Sequence, residues 1–288
     1  MSLIKRNLLM LLIIIILPAR SFAMDVSAGP FVWLSWWTPY QSAGMDKFEI
    51  SPGILYGGAL SMTFFNSFSA AISGSYGSFD VDYSNTVTFS DATTANMTFN
   101  DITITRRDID LTFGYKLNHY FKAFCGIKIQ EYNFSGKGRF TYATSSGTLD
   151  ASGDPTGCRQ YGLGGGLGFS YPISESFSFS ATLSYLLLSI DLSPVWISQV
   201  NSTTAQQYQD RPRIRGTAQG GNSVMLLSYL CDPINTTFSI GYRFQMVYLS
   251  SKPEGEIYPS NTGDQSLEIY DGTIEYFHGM LFYATYHF

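Results

Sequence analysis

The last ten residues alternate strictly. Counting back by twos from Phe288 gives Tyr286, Ala284, Phe282 and Met280, an unbroken apolar row. The other parity, His287, Thr285, Tyr283, Leu281 and Gly279, is mixed. A period of two describes a strand with one face in an apolar medium. Each strand edge carries unpaired N–H and C=O groups. A chain that repeats this pattern in hydrocarbon satisfies them only by closing its strands into a cylinder.

The rest of the chain repeats the pattern. After the N-terminal segment, no stretch reaches the roughly 18 consecutive apolar residues of a membrane helix. Tyr and Phe are abundant, 20 and 22, while charged residues make up only 14%. Aromatic girdles and a wide apolar band produce that balance, whereas a soluble sandwich of this length carries more surface Lys and Glu. Near the start, Lys5 and Arg6 precede ten apolar residues, Leu8 to Leu17, followed by Ser21-Phe22-Ala23. A positive n-region, a short apolar run and a small-x-small site describe a secretory signal peptide. Residues 1–23 are therefore expected to be removed, leaving 24–288 as one barrel domain. The net charge of −5 and the absence of a basic patch argue against nucleic acid. Three widely spaced cysteines, Cys125, Cys158 and Cys231, form no disulfide framework. No CxxC or HExxH spacing suggests a metal, and no cofactor is expected.

Alternation predicts strands at about 25–37, 48–65, 67–83, 102–117, 120–134, 158–171, 177–190, 222–231, 237–249 and 273–288. The fold class is thus all-β, a ten-stranded antiparallel transmembrane barrel. Short turns fall at Asn66-Ser67, Asn118-His119, Pro172–Ser176 and Asp232–Thr236. Longer polar connections lie near 38–47, 84–101, 135–157, 191–221 and 250–272. Short turns at one rim and long loops at the other give a periplasmic and an extracellular end. An even strand count then places both termini on the periplasmic side.

Parity also assigns the faces. Ile109, Leu111, Phe113, Tyr115 and Leu117 are expected to meet lipid, as are Phe121, Ile127, Phe238, Ile240, Tyr242, Phe244 and Met246. Asp108, Asp110, Lys128, Arg243 and Gln245 then point into the lumen among small residues. They form either an ion-paired plug or a conducting path; ten strands enclose little more space than side chains can fill. Gly162, Gly164, Gly166 and Gly168 line one inner face and leave room for bulky neighbours.

The terminal strand resembles the closing strand of bacterial outer-membrane barrels, which implies recognition by the barrel-assembly machinery and a Gram-negative cell-surface location. Tyr283 stands where that pattern has Gly, and Leu281 where it has a polar residue. The chain as a whole is similar to the omptins, ten-stranded outer-membrane proteases. The likeness lies in strand count and loop order. It also lies in Asp108-Ile-Asp-Leu-Thr-Phe-Gly-Tyr-Lys-Leu-Asn118, Gly126 to Phe134, Gly168-Phe-Ser-Tyr171 and Ile240-Gly-Tyr242.

The resemblance implies catalytic positions at the extracellular end. Asp80-Val81-Asp82 matches the family's Asp-x-Asp pair, and Asp191-Leu192-Ser193 its Asp-x-His pair, with Ser193 in place of the His. Serine cannot replace an imidazole as general base near neutrality, and His119, His278 and His287 are placed too far away to substitute. Trp37 and Ser189 stand where the family has acidic specificity residues, so preference for basic substrates is not expected. Simple alternation puts Asp80 and Asp82 on the outward parity; a bulge near Gly77 would turn them inward. Arg159 matches one basic position of the family's lipopolysaccharide site, with Arg211, Arg213 and Arg215 nearby; a solvated rim charge is the plainer reading. Three functions are carried forward: a non-catalytic structural or surface-interaction barrel, a variant aspartic-type endopeptidase using Asp80, Asp82 and Asp191, and a small diffusion pore. The extracellular ligand and oligomeric state are left open.

Overall fold

The computed structural model describes residues 24–38, 47–88, 94–142, 146–150, 156–192, 200–201, 204–205, 213–254 and 273–288. Ten antiparallel strands close on themselves. They are β1 (Met24–Thr38), β2 (Gly53–Phe64), β3 (Phe68–Thr88), β4 (Thr94–Lys116) and β5 (Phe121–Tyr142). The ring continues with β6 (Thr156–Pro172), β7 (Phe177–Leu192), β8 (Arg213–Cys231), β9 (Thr236–Glu254) and β10 (Ile274–His287). Every strand pairs with its sequence neighbours, and β10 pairs back onto β1.

The four short connections lie where turn chemistry places them. Phe65 and Asn66 both take positive φ, 51° and 57°, the pair that a type I′ hairpin turn needs. The Asn118 side chain accepts from the backbone N–H groups of Tyr120 and Phe121 at 2.8 and 2.9 Å. Ser174 Oγ accepts from the Phe177 N–H at 3.1 Å. A 3-10 turn, Asp232–Ile234, ends on Asn235 in the left-handed region.

Two features differ from the sequence expectation. Strands β3, β4, β5, β8 and β9 run further toward the long-connection end. Residues 84–88, expected within a loop, pair with 94–98, and the N-terminal part of β8 pairs with both β7 and β9. Above the apolar band both faces of a strand meet water. Alternation of hydropathy then fades although the ladder continues. The second difference is that the expected strand 48–65 is broken. Lys47–Ile50 pairs with β3 as a separate short strand, and the register slips by one residue across Ser51-Pro52. Pro52 has no N–H to give to the ladder.

Exposure alternates as the outward row requires: Ile109, Phe113, Tyr115, Ile127, Phe238, Ile240, Tyr242, Phe244 and Met246 are all exposed. The core sits inside the cylinder instead. Trp33, Trp37, Leu55, Phe79, Ile104, Tyr132, Leu188, Ile190, Val247, Leu249 and Phe277 form one buried cluster. It lies toward the long-connection end of the strands.

Gly279 combines a close approach in the wall with a positive φ. Its φ is +155°, and a Cβ there would lie 2.0 Å from the Leu34 carbonyl oxygen. Gly58, on the outer face, has its nearest neighbour at 3.9 Å. Gly279→Ala is expected to cost about 1–3 kcal/mol of barrel stability. Gly58→Ala should stay within roughly 0.5 kcal/mol. Urea unfolding in lipid vesicles measures both.

Candidate functional site

Two adjoining layers fill the lumen. In the first, Lys128 donates to Asp110 at 2.8 Å, and the Arg243 guanidinium lies 3.7 Å from the other Asp110 oxygen. Arg243 Nε also donates to Asn222 at 2.9 Å, and its guanidinium sits 4.6 Å from the Trp33 ring centre. In the second, Arg106 grips Asp108 through Nε at 3.0 Å and Nη2 at 2.9 Å. Its Nη1 lies 3.9 Å from Glu275. Tyr132 donates to Glu275 at 2.7 Å and Gln160 donates to it at 3.4 Å. Gln245 donates to Gln130 at 3.3 Å, and Gln130 to Asp108 at 3.4 Å.

The named charges balance, with Arg106, Lys128 and Arg243 against Asp108, Asp110 and Glu275. Balance matters because an unpaired charge in a water-poor lumen is expensive. Aromatic rings supply the remainder. The Arg106 guanidinium lies 3.6 Å from the Phe277 centroid and 5.1 Å from that of Tyr132, a cation–π arrangement. Trp37 stacks on Tyr132 at 4.9 Å and 12°, and Trp33 meets Phe277 edge-on at 4.3 Å.

The structure thus brings Asp108, Asp110, Lys128, Arg243 and Gln245 into two adjoining layers of the lumen. Gln130, inward by the same parity, joins them, and the structure adds Arg106, Glu275, Tyr132 and Gln160, which sequence reasoning missed. Parity was the signal available. Two steps back from Asp108 is Arg106, and two and four steps back from Gly279 are Phe277 and Glu275.

The family-matched acids lie elsewhere. Register runs unbroken along β3 from Phe68 to Val81 against β4, so there is no bulge at Gly77; the irregularity falls at Asp82. Phe79 and Val81 are buried inside, while Asp80 and Asp82 are exposed on the outward parity. Asp80 accepts from Thr103 at 3.4 Å. Asp191 also has outward parity, since Leu188 and Ile190 point in. Ser193 lies outside the described residues. Trp37 is buried in the aromatic stack and Ser189 shares the parity of Asp191. His278 is outside the barrel, bonded to Tyr242 at 2.7 Å and stacked on Trp36; His287 bonds Thr237 at 2.8 Å. None of the three cysteines is in a disulfide.

Asp191 belongs to a different constellation. Arg107, Glu131, Arg159, Asp191 and Arg215 are successive cross-strand neighbours from β4 to β8. Arg159 Nε meets Glu131 at 2.9 Å, and Arg107 lies over the Tyr76 ring at 5.6 Å. The row of alternating charge borders the apolar outer face on its long-connection side. Arg213 has a register position opposite Glu254, and Arg211 lies outside the described residues.

A closed ten-stranded antiparallel cylinder with an apolar outer face and paired charges packed among buried aromatic and aliphatic side chains inside is the fold of an outer-membrane β-barrel. Comparison with solved structures agrees. The outer membrane protease OmpT from Escherichia coli superposes with a TM-score of 0.56 at 13% identity, over 92% of this chain and 97% of that one. The toluene transporter TodX of Pseudomonas putida (TM-score 0.33, 9% identity, 91% and 88% covered) and OprG of Pseudomonas aeruginosa (0.29, 10%, 92% and 95%) are more distant. The likeness to OmpT shows the fold alone. No protein-family model matches this chain, and no curated protein matches it.

Removing Arg106 leaves two buried carboxylates without their cation. Arg106→Ala should lose about 3–5 kcal/mol, whereas Arg106→Met combined with Asp108→Leu should recover part of that, Glu275 alone then lacking its cation. A double-mutant cycle read by urea unfolding separates the two outcomes.

Proposed function

We propose that this protein is a non-catalytic barrel of the bacterial outer membrane, with a structural or surface-interaction role carried by its outer face and long connections. One observation carries the reading. At the long-connection end the inward positions hold Trp37, Phe79, Val81, Ile104, Leu188, Ile190 and Leu249, all buried. The carboxylates that would activate a water point outward instead. A hydrolytic centre needs a base and an acid aimed into a shared space, whereas the inward carboxylates here are already paired and the side chains above them are packed. The same packing argues against a diffusion path. Export by residues 1–23 and insertion by the assembly machinery through β10 belong to this reading.

The outer charge row favours a lipopolysaccharide contact. Arg107, Arg159 and Arg215 stand at the edge of the apolar band, where lipid phosphates would meet them through charge-assisted hydrogen bonds. Glu131 holds the Arg159 guanidinium at 2.9 Å, and Asp191 lies in register between Arg159 and Arg215.

Refolded mature protein, with lipopolysaccharide present, is expected to leave fluorogenic peptides uncut and to give no steady conductance steps in planar bilayers. Peptide turnover that disappears in Asp82→Ala would overturn the non-catalytic reading. Arg159→Gln is expected to lower the lipopolysaccharide retained on purification without changing the folded fraction.

A further inference from the structure

The outer wall carries a groove of about 530 Å³ that crosses the seam where the first and last strands meet. Two cross-strand rows bound it. One runs Val32, Phe282, Ile240, Leu227 through β1, β10, β9 and β8. The next runs Ala284, Phe238, Tyr229 and ends on β7 at Phe177, whose ring lies 5.0 Å from that of Tyr229. Opposite Ala284 this second row loses its bulk. The β1–β10 ladder pairs Ala28 with Tyr286 and Phe31 with Tyr283, and skips Gly29 and Pro30. Pro30 brings no N–H to the ladder, and neither Pro30 nor Ala284 raises a long side chain.

We infer that this seam groove is a binding site for one acyl chain of a membrane phospholipid, an inference that rests on the outer-membrane reading above. The groove faces hydrocarbon and its rims are aliphatic and aromatic. From β1 to β7 it crosses four inter-strand steps, about 19 Å. Strands tilt about 35–45° from the barrel axis, so the groove descends about 11–13 Å along the membrane normal, within the roughly 15 Å hydrocarbon depth of one leaflet, and a single oblique chain fits it. A chain seated there is held on both sides and covers the interrupted ladder. The fixed cavity distinguishes it from the lipids that slide over the convex wall elsewhere.

The test is native mass spectrometry of the folded mature barrel, released from micelles containing palmitoyl-oleoyl phosphatidylethanolamine. Heat-modifiable electrophoretic migration reports folding separately. Wild type is expected to retain one phospholipid. Ala284→Phe fills the step and Phe282→Ala removes a rim. Each should lower the lipid-bound fraction about tenfold, the equivalent of roughly two buried methylenes of contact. Leu163→Phe, on the outer face of β6, should leave retention unchanged. A folded wild-type barrel that keeps no phospholipid overturns the inference and leaves the outer-membrane reading standing. So do folded variants that keep it as well as wild type, or oleate replacing phospholipid at equal concentration. A chain that never acquires heat-modifiable migration overturns both.

Discussion

Closure of the backbone ladder governs everything else in this molecule. In hydrocarbon a strand's N–H and C=O groups have no partner but another strand. The tenth strand must therefore find the first. Once it does, register leaves no freedom: side chains alternate in and out, and a slip of one residue would turn every lipid-facing aromatic inward. The inner and outer chemistries follow from this one constraint.

Inside, the consequence is a plug in two parts. Charged residues on β4, β5, β9 and β10 pair off, and an aromatic and aliphatic layer closes over them. The Arg106 guanidinium joins the two, bonded to Asp108 on one side and stacked on Phe277 and Tyr132 on the other. Outside, the same alternation places Asp80, Asp82 and Asp191 beyond the apolar band. One parity relation thus turns all three away from the lumen, and architecture shared with OmpT does not by itself carry chemistry along.

Much of this was legible in the sequence because the apolar band writes a strong two-residue pattern. The ten strands, the short turns and the facing of Ile109, Phe113, Phe238 and Phe244 were all readable from it. Asp108, Asp110 and Lys128 were placed inward by the same count. Legibility failed where hydropathy contrast fades. The upper parts of β3, β4 and β8 are rich in Ser, Thr, Asn and Gly on both faces, so they read as loop. Arg106 was missed because the inward count on β4 stopped at Asp108, two residues short of it. Glu275 was missed because the count stopped at Gly279. The bulge that would have turned Asp80 inward was a guess about backbone irregularity, and no hydropathy pattern can settle that. The structure puts the irregularity at Asp82 instead.

The central claim is that the long-connection end of the lumen is packed shut, with the acids outside it. Site-directed labelling tests it most directly. In a background with Cys125, Cys158 and Cys231 replaced, single cysteines at positions 79, 80 and 81 are exposed to a membrane-impermeant maleimide on the folded, reconstituted barrel. The account predicts rapid labelling at position 80 and protection at 79 and 81 until the barrel is unfolded. Rapid labelling at 79 and 81 with protection at 80 would mean an open cleft lined by the opposite parity, and would contradict it.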